Sequence, residues 1–154
     1  MVRPLKILLV NPACLDRRIS GEDAHIVPIG LYYIGAQLLD RGFSTRILNL
    51  AAAEVNNPLE RFTQVITELQ PDIIGFSVTN PNRWNAIDSA KIAREHFPSI
   101  TVVFGGPAPT FLVDHLFEAC PELDVIVIGE GEQTMLELAE HIKQTTADPA
   151  VAGG

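Results

Sequence analysis

Five short apolar runs punctuate the chain, and a stretch of helical periodicity follows each one. The runs are LKILLVN (Leu5–Asn11), STRILNL (Ser44–Leu50), DIIGFSV (Asp72–Val78), ITVVFGG (Ile100–Gly106) and DVIVIGE (Asp124–Glu130). Three of them are nearly continuous Ile, Leu and Val, the pattern of strands buried on both faces of a parallel sheet. The second mixes polar residues among apolar ones, as an edge strand does. Among the helical stretches, PIGLYYIGAQLLDRG opens on Pro28 and stops at Gly42, the usual start and stop signals. NPLERFTQVITELQ has Asn57 at the N-cap, Pro58 at the first position and Glu60 at capping-box spacing. Its Leu59, Phe62, Ile66 and Leu69 share a face. NRWNAIDSAKIAREHF aligns Ala86, Ala90, Ala93 and Phe97. TFLVDHLFEAC is expected to start a short helix at Thr110, and EQTMLELAEHIKQT to bury Met135, Leu138 and Ile142.

Strictly alternating strand–helix units imply a parallel sheet with helices on both faces and right-handed crossovers. Five strands of this length suit a Rossmann-like α/β fold with the flavodoxin-type order 2-1-3-4-5. Ligands in such sheets bind outside the carboxyl ends of the strands, at the switch point between the first and third. The loops after strands one, three, four and five are therefore the places to look for chemistry.

Composition narrows the partners. The chain has 154 residues, 47% hydrophobic and 19% charged, a globular balance that fits one domain. Residues 1–146 are expected to form that domain, and 147–154, in the aperiodic end TTADPAVAGG, to be a linker or truncation tail. Net charge is −8 and no Lys/Arg stripe occurs, which argues against nucleic acid. No apolar run approaches the length of a membrane span, and the N-terminus is too soon interrupted for a signal peptide. Cys14 and Cys120 lie far apart, which fits a reduced, cytoplasmic protein. No Cys-x-x-Cys occurs and the four His are scattered, so no zinc or iron–sulfur motif is present.

After the third strand, SVTNPN offers the hydroxyls and amides of Ser77, Thr79, Asn80 and Asn82 to a ligand. Asn80 or Asn82 equally suits the cap of the next helix, and the two roles are compatible. After the fourth, Gly105 and Gly106 remove Cβ atoms where a backbone or ligand must come close. Pro107 and Pro109 stiffen that turn, and Thr110 is the expected cap. A tight turn alone needs only one glycine, which favours a ligand. After the fifth, Gly129 and Gly131 open the backbone, while Glu130 and Glu132 make the loop acidic and unlike a phosphate cradle. Glu132 also suits the positive start of a helix. Neither Gly-x-x-x-x-Gly-Lys-Ser/Thr nor a Gly-x-Gly-x-x-Gly after the first strand occurs, so the usual nucleotide sites find no support. Three such loops make a broad platform for a large flat ligand met mostly by backbone. Asp16, Asp23 and His25 read as a solvated loop, and Cys14 as a small apolar loop residue rather than a nucleophile.

Taken together, KILLVNP, PIGLYYIGAQLLDRGF, DIIGFSVTNPN, ITVVFGGPAPT and DVIVIGEGEQT resemble the N-terminal cobalamin-binding domain of cobalamin-dependent radical S-adenosylmethionine proteins. The resemblance runs from about Leu5 to about Ile142 and keeps the order and spacing of the loops. Many members read GGPHPT where this chain reads GGPAPT, so Ala108 leaves no His role there. The resemblance implies cobalamin at the carboxyl edge of the sheet, its nucleotide tail beside the sheet and its corrin across the loops. It implies that Ser77, Val78 and Thr79 line the tail cavity, with Asn80 a further contact on the same loop. Gly105, Gly106 and Pro107 would pack against the nucleotide, and Glu130 and Gly131 would sit at the corrin or tail edge. Asn11 and Pro12 would open the first loop beneath the corrin. It further implies a methyltransferase-like enzyme whose radical domain follows in cis, holding an iron–sulfur cluster and S-adenosylmethionine at a Cys-x-x-x-Cys-x-x-Cys site. These residues contain no such motif, so this chain is expected to be the non-catalytic part, either a truncated piece or a free-standing cobalamin carrier.

In cobalamin domains with Asp-x-His-x-x-Gly, the His reaches cobalt. The nearest spacing here, DRRISG, has Arg18 in that place, protonated and without a lone pair to offer. Gly21 also falls well short of Pro28, whereas in the His-bearing loops the glycine leads almost directly into the helix. The spacing is read as coincidence. The length of the connection is the informative part, roughly three times the usual ~2–6 residues of such a loop. The expectation is cobalamin with its own base displaced and no protein His on cobalt, His25 being the nearest contender. The loop is expected to order when cobalamin or the radical domain packs on it.

Two other classes compete. A flavodoxin-like module binding another ligand, such as a flavin, would want a ring to stack on. Aromatic residues are only 6%, Trp84 begins a helix and Tyr32 and Tyr33 lie inside one. A receiver-like or structural interaction domain is the other class. Phosphotransfer would need an acidic pair after strand one and an Asp ending strand three, where Asn11-Pro12 and Ser77 stand.

Overall fold

Parity along the strands decides which side of the sheet each apolar residue serves. A computed structural model describes residues 3–14 and 27–148. Its strands are β1 (Lys6–Asn11), β2 (Ser44–Asn49), β3 (Ile73–Ser77), β4 (Thr101–Gly105) and β5 (Val125–Ile126). All pair in parallel in the expected order, β2-β1-β3-β4-β5. The polar-rich β2 stands at an edge, half-solvated along its length. The helices are α1 (Ile29–Asp40), α2 (Pro58–Leu69), α3 (Arg83–His96), α4 (Pro107–Phe111), α5 (Val113–Ala119) and α6 (Glu132–Ala147).

Ile7, Leu9, Ile73 and Val103 face one side of the sheet, where α1 and α6 cover them with Leu31, Leu38, Met135 and Leu136. Leu8, Val10, Ile74, Phe76, Val102 and Phe104 face the other, beneath α2, α3 and α5. On that second face Phe76 meets Phe62 at 5.9 Å between ring centroids and Phe104 edge-on at 5.5 Å. Such pairs add about 0.5–1.5 kcal/mol each beyond their buried area. The α3 face packs through Ala86, Ala90 and Ala93, all fully buried. The α2 capping box forms: the Glu60 N–H donates to Asn57 Oδ1 at 3.3 Å, and Asn57 Nδ2 donates back to Glu60 Oε2 at 3.0 Å.

Two aspartates tie the amino edge of the sheet. Asp72 accepts from the Lys6 backbone N–H at 2.9 Å and pairs with both terminal nitrogens of Arg3. Asp124 accepts from the Val102 N–H at 2.8 Å and from Arg94 at 2.6 Å. Arg94 also donates to the carbonyls of Pro98, Ile100 and Glu122. Each aspartate immediately precedes a strand and holds the first residues of its neighbour.

Two expectations change. The fifth strand was expected over Asp124–Glu130, but only Val125–Ile126 pairs. Its partner β4 turns away after Gly105, so the ladder ends with Val127 N–H on Phe104 O at 2.8 Å. The single helix expected from Thr110 is instead the pair α4 and α5, broken at Leu112. Pro107 takes the first helical position, where its missing N–H costs nothing, so the helix begins three residues early with Gly106 at the N-cap. The Thr110 hydroxyl reaches back to the Gly106 carbonyl at 3.5 Å rather than capping. Among the described residues, no helix is long and apolar enough to cross a membrane.

Cys120 ends α5 fully buried. Burial, and then the Glu122 carboxylate 3.7 Å from its sulfur, push its thiol up to about 11. At pH 8 about one Cys120 in a thousand is then thiolate, the reactive form. A thiol reagent at that pH is therefore expected to label half-buried Cys14 in the folded chain and Cys120 only on unfolding. Rapid labelling of Cys120 in the folded chain, read by mass spectrometry, would contradict this packing.

Candidate functional site

β3 and β4 each place a phenylalanine on one face and a glycine beside it on the other: Gly75-Phe76 and Phe104-Gly105. Over Gly75 and Gly105 the face covered by α1 and α6 has no side chains of its own. A cavity of about 250 Å³ opens there at the carboxyl edge of the sheet. Leu9, Gly75 and Val103 contribute from the strands, Leu31 and Ile34 from α1, and Met135 from α6. Ser77, Gly105, Gly106 and the loop from Gly129 to Glu132 complete it. Six of the sixteen lining residues among those described are glycine, so much of the wall is bare backbone. The space is tight where the glycines stand. A Cβ on Gly75 would lie 3.1 Å from Leu9 Cδ2, and one on Gly131 would lie 3.3 Å from Ile34 Cδ1.

The turn after β4 is fixed by contact with the turn after β3. Val78 N–H donates to Gly105 O at 2.7 Å, and Ala108 N–H donates to Val78 O at 3.1 Å. Gly106 between them has φ +103°, and a Cβ there would fall 2.9 Å from Val78 O and 3.0 Å from Val78 N. Only glycine adopts that backbone at that distance without strain. Asn82 braces the preceding turn: its Oδ1 accepts from Thr79 N–H at 2.7 Å and its Nδ2 donates to Ser77 O at 3.1 Å. Asn82 thus stands at the N-cap of α3 but spends its side chain on the loop instead of the helix.

Of the residues singled out from the sequence, Ser77, Gly105, Gly106, Glu130 and Gly131 come together around the cavity. Among the described residues the Ser77 hydroxyl has no hydrogen-bond partner. Val78 is fully buried in the opposite core, because alternation turns it away from its neighbour Ser77. Thr79 is half-buried in the braced turn, and Asn80 lies exposed with its side chain on Arg83. Pro107 is exposed at the start of α4. Asn11 joins the ends of β1 and β2 by donating to Asn49 Oδ1 at 2.9 Å, and Pro12 is buried behind it. The following Ala13 N–H is anchored on the buried Asn85 Oδ1 at 2.9 Å. Asp16, Arg18, Gly21, Asp23 and His25 lie outside the described residues.

Sequence reading missed Gly30, Leu31 and Ile34 of α1, Gly75 and Met135. A lone glycine inside an otherwise apolar strand is a signal of close approach, and Gly75 was legible on that ground. The helix residues carried no such mark. Among the described residues no group of three or more His, Cys, Asp or Glu is placed to hold a metal ion.

Residues 21–139 match the family model described as B12 binding domain. An uncharacterized methyltransferase of Pyrococcus horikoshii is 30% identical over 145 residues, which are 93% of this chain and 30% of that protein. The anaerobic magnesium-protoporphyrin IX monomethyl ester cyclase of Rubrivivax gelatinosus is 32% identical over 76% of this chain and 21% of its own length. The cobalamin-dependent radical SAM methyltransferase TokK of Streptomyces tokunonensis is 33% identical over 53% of this chain and 12% of its own. The chain thus spans less than a third of the length of these relatives. Among solved structures, the BeF3-activated DrrB receiver domain aligns with TM-score 0.58 at 16% identity, over 92% of this chain and 99% of that one. That likeness shows the fold alone.

Gly106→Ala is expected to lower stability by about 2 kcal/mol or more, a drop in Tm of roughly 4–8 °C. Gly105→Ala, with only ordinary contacts 3.8 Å away, is expected to leave Tm nearly unchanged. Thermal melts of the two variants beside the parent chain check this, and equal Tm values would refute the close crossing at Val78.

Proposed function

The chain belongs to the B12-binding domain family, and from that premise we propose that its cavity takes the nucleotide tail of cobalamin while the corrin lies across the carboxyl-edge loops. The observation that carries this reading is the glycine-surfaced, largely apolar cavity over Gly75 and Gly105. Its volume of about 250 Å³ lies below the ~300–1,000 Å³ usual for enclosing a whole drug-sized ligand. It therefore suits one arm of a larger molecule. The donor set fits: bare backbone admits close approach, Ser77 offers one free hydroxyl, and the apolar walls exclude water from the tail.

In this reading Ser77 bonds the displaced base, and Gly105 and Gly106 let the nucleotide lie on the strand end. Glu130 and Gly131 border the mouth. Val78, Thr79, Asn80 and Pro107 shape the two turns rather than touch the base. Asn11 and Pro12 set the departure of the first loop beneath the corrin. Bound cobalamin would supply group-transfer chemistry at its cobalt; the residues of this chain hold and shield it. No histidine among the described residues lines the cavity. When bound, cobalamin would accordingly take no histidine of these residues as a ligand.

The whole protein is a radical S-adenosylmethionine enzyme of the methyltransferase type, with its cluster and S-adenosylmethionine in a domain joined to this one. The names and greater lengths of the relatives support that assignment.

Mixed with hydroxocobalamin and desalted, the chain is expected to retain the coloured cofactor. Gly105→Leu, which fills the cavity without backbone strain, is expected to retain none while keeping its circular dichroism. Flavin retained in place of cobalamin would refute the reading. For the cobalt ligand, the visible spectrum of bound cobalamin is expected to be the same in His25→Ala. A shifted spectrum in that variant would assign His25 to cobalt.

A further inference from the structure

Two buried asparagines at the start of α3 spend their side chains on other segments. Asn82, at the N-cap, braces the turn after β3. Asn85, three residues on and 1% exposed, accepts from the Ala13 N–H at 2.9 Å. Residues three apart on a helix are neighbours on its surface. The start of α3 therefore holds the exits of β1 and β3 at a set separation. In the order β2-β1-β3 those exits flank the switch point of the sheet. On its other side the chain leaving β1 is tied to β2, where Leu50 N–H donates to Asn11 O at 2.9 Å. Pro12 has no N–H, so Ala13 is the next residue able to donate.

Stability alone does not account for an amide in this place. Among the described residues Asn85 Nδ2 has no hydrogen-bond partner, and neither has the fully buried Ser89 hydroxyl one turn on. Burying an unpaired donor costs about as much as the bond to Ala13 contributes, so a leucine of similar volume would serve the fold nearly as well. What the amide adds is the place of Ala13. Resting on the reading that the corrin lies across the carboxyl-edge loops, we propose that Asn85 is a positioning residue of the cobalamin site: it fixes the start of the first loop against α3, so that the loop meets the corrin already in place.

Half-buried Cys14, next to Ala13, reports on this bond without any ligand, and buried Cys120 reports whether the rest of the chain stays folded. In Asn85→Leu a thiol reagent is expected to label Cys14 about five- to tenfold faster than in the parent, the factor one hydrogen bond supplies, with Cys120 still protected. Asn85→Asp keeps the acceptor for Ala13 and is expected to label no faster than the parent. Ser89→Ala, altered in the same buried row, is expected to match the parent. If Asn85→Leu exposes Cys120, Asn85→Ala takes its place. Equilibrium dialysis against hydroxocobalamin is expected to show Asn85→Leu binding about five- to tenfold more weakly, because affinity scales with the fraction of chains whose loop stands in place, and Asn85→Asp binding like the parent. Equal Cys14 labelling in Asn85→Leu and the parent, or Asn85→Asp behaving like Asn85→Leu, overturns the anchoring of the loop. Faster labelling with unchanged cobalamin affinity overturns its part in the site. A parent chain that binds no cobalamin overturns the cobalamin reading itself, and Cys14 labelling still decides the anchor.

Discussion

Where Gly106 passes the backbone of Val78, no side chain fits between them, and the carboxyl edge is arranged around that crossing. Two backbone hydrogen bonds, 2.7 and 3.1 Å long, lock Val78 to the residues on either side of Gly106. They make β3 and β4 leave the sheet together. Because β4 turns into α4 at that point, β5 has no partner after Val127, and the chain from Ile128 to Gly131 leaves the ladder. That departing loop forms the mouth of the cavity instead of a further strand. One steric constraint thus shortens a strand, starts a helix early and opens a site.

The two faces of the sheet divide the remaining work. On one, Phe62, Phe76 and Phe104 are almost wholly buried against one another. On the other, the same two central strands carry Gly75 and Gly105, and space remains. Glycine inside a strand is unfavourable by about 0.5–1 kcal/mol, while burying one phenylalanine contributes about 1.5–3 kcal/mol. The aromatic face therefore offsets the glycine face within the same strands. A cavity kept open this way does not depend on mobile side chains, since nothing need move aside for a ligand to meet the backbone.

What the sequence made legible was whatever is local. Strand parity, the Asn57–Glu60 capping box and the polar edge strand β2 depend on neighbours along the chain, and each formed as expected. The paired glycines after β4 were legible for the same reason. The length of β5 was not, because it is set by where a different strand turns away. The early start of α4 was not, because Gly106 stands at its cap only once Val78 has fixed the turn. Leu31, Ile34 and Met135 were invisible as site residues because their part arises from how α1 and α6 cross the sheet. Val78 shows how resemblance and parity differ: three consecutive residues share a motif, yet alternation sends the middle one to the opposite core.

Charge is distributed to match. Asp72 and Asp124 each join a backbone N–H and an arginine at the amino edge. A carboxylate accepting a backbone N–H and a guanidinium makes the stronger, charge-assisted kind of hydrogen bond. Exposed ion pairs by themselves contribute little, about 0–1 kcal/mol, so the contribution here lies in fixing strand ends against one another. At the carboxyl edge the corresponding positions after β3 and β4 are Val78 and Gly106, uncharged and tied to each other's turns by backbone hydrogen bonds. An apolar cavity gains nothing from an ion pair, whose desolvation would oppose burial. Placing the ionic ties at the far ends of the strands secures the register of the sheet while leaving the inner cavity to glycine, Ser77 and apolar walls, with Glu130 and Glu132 at its mouth.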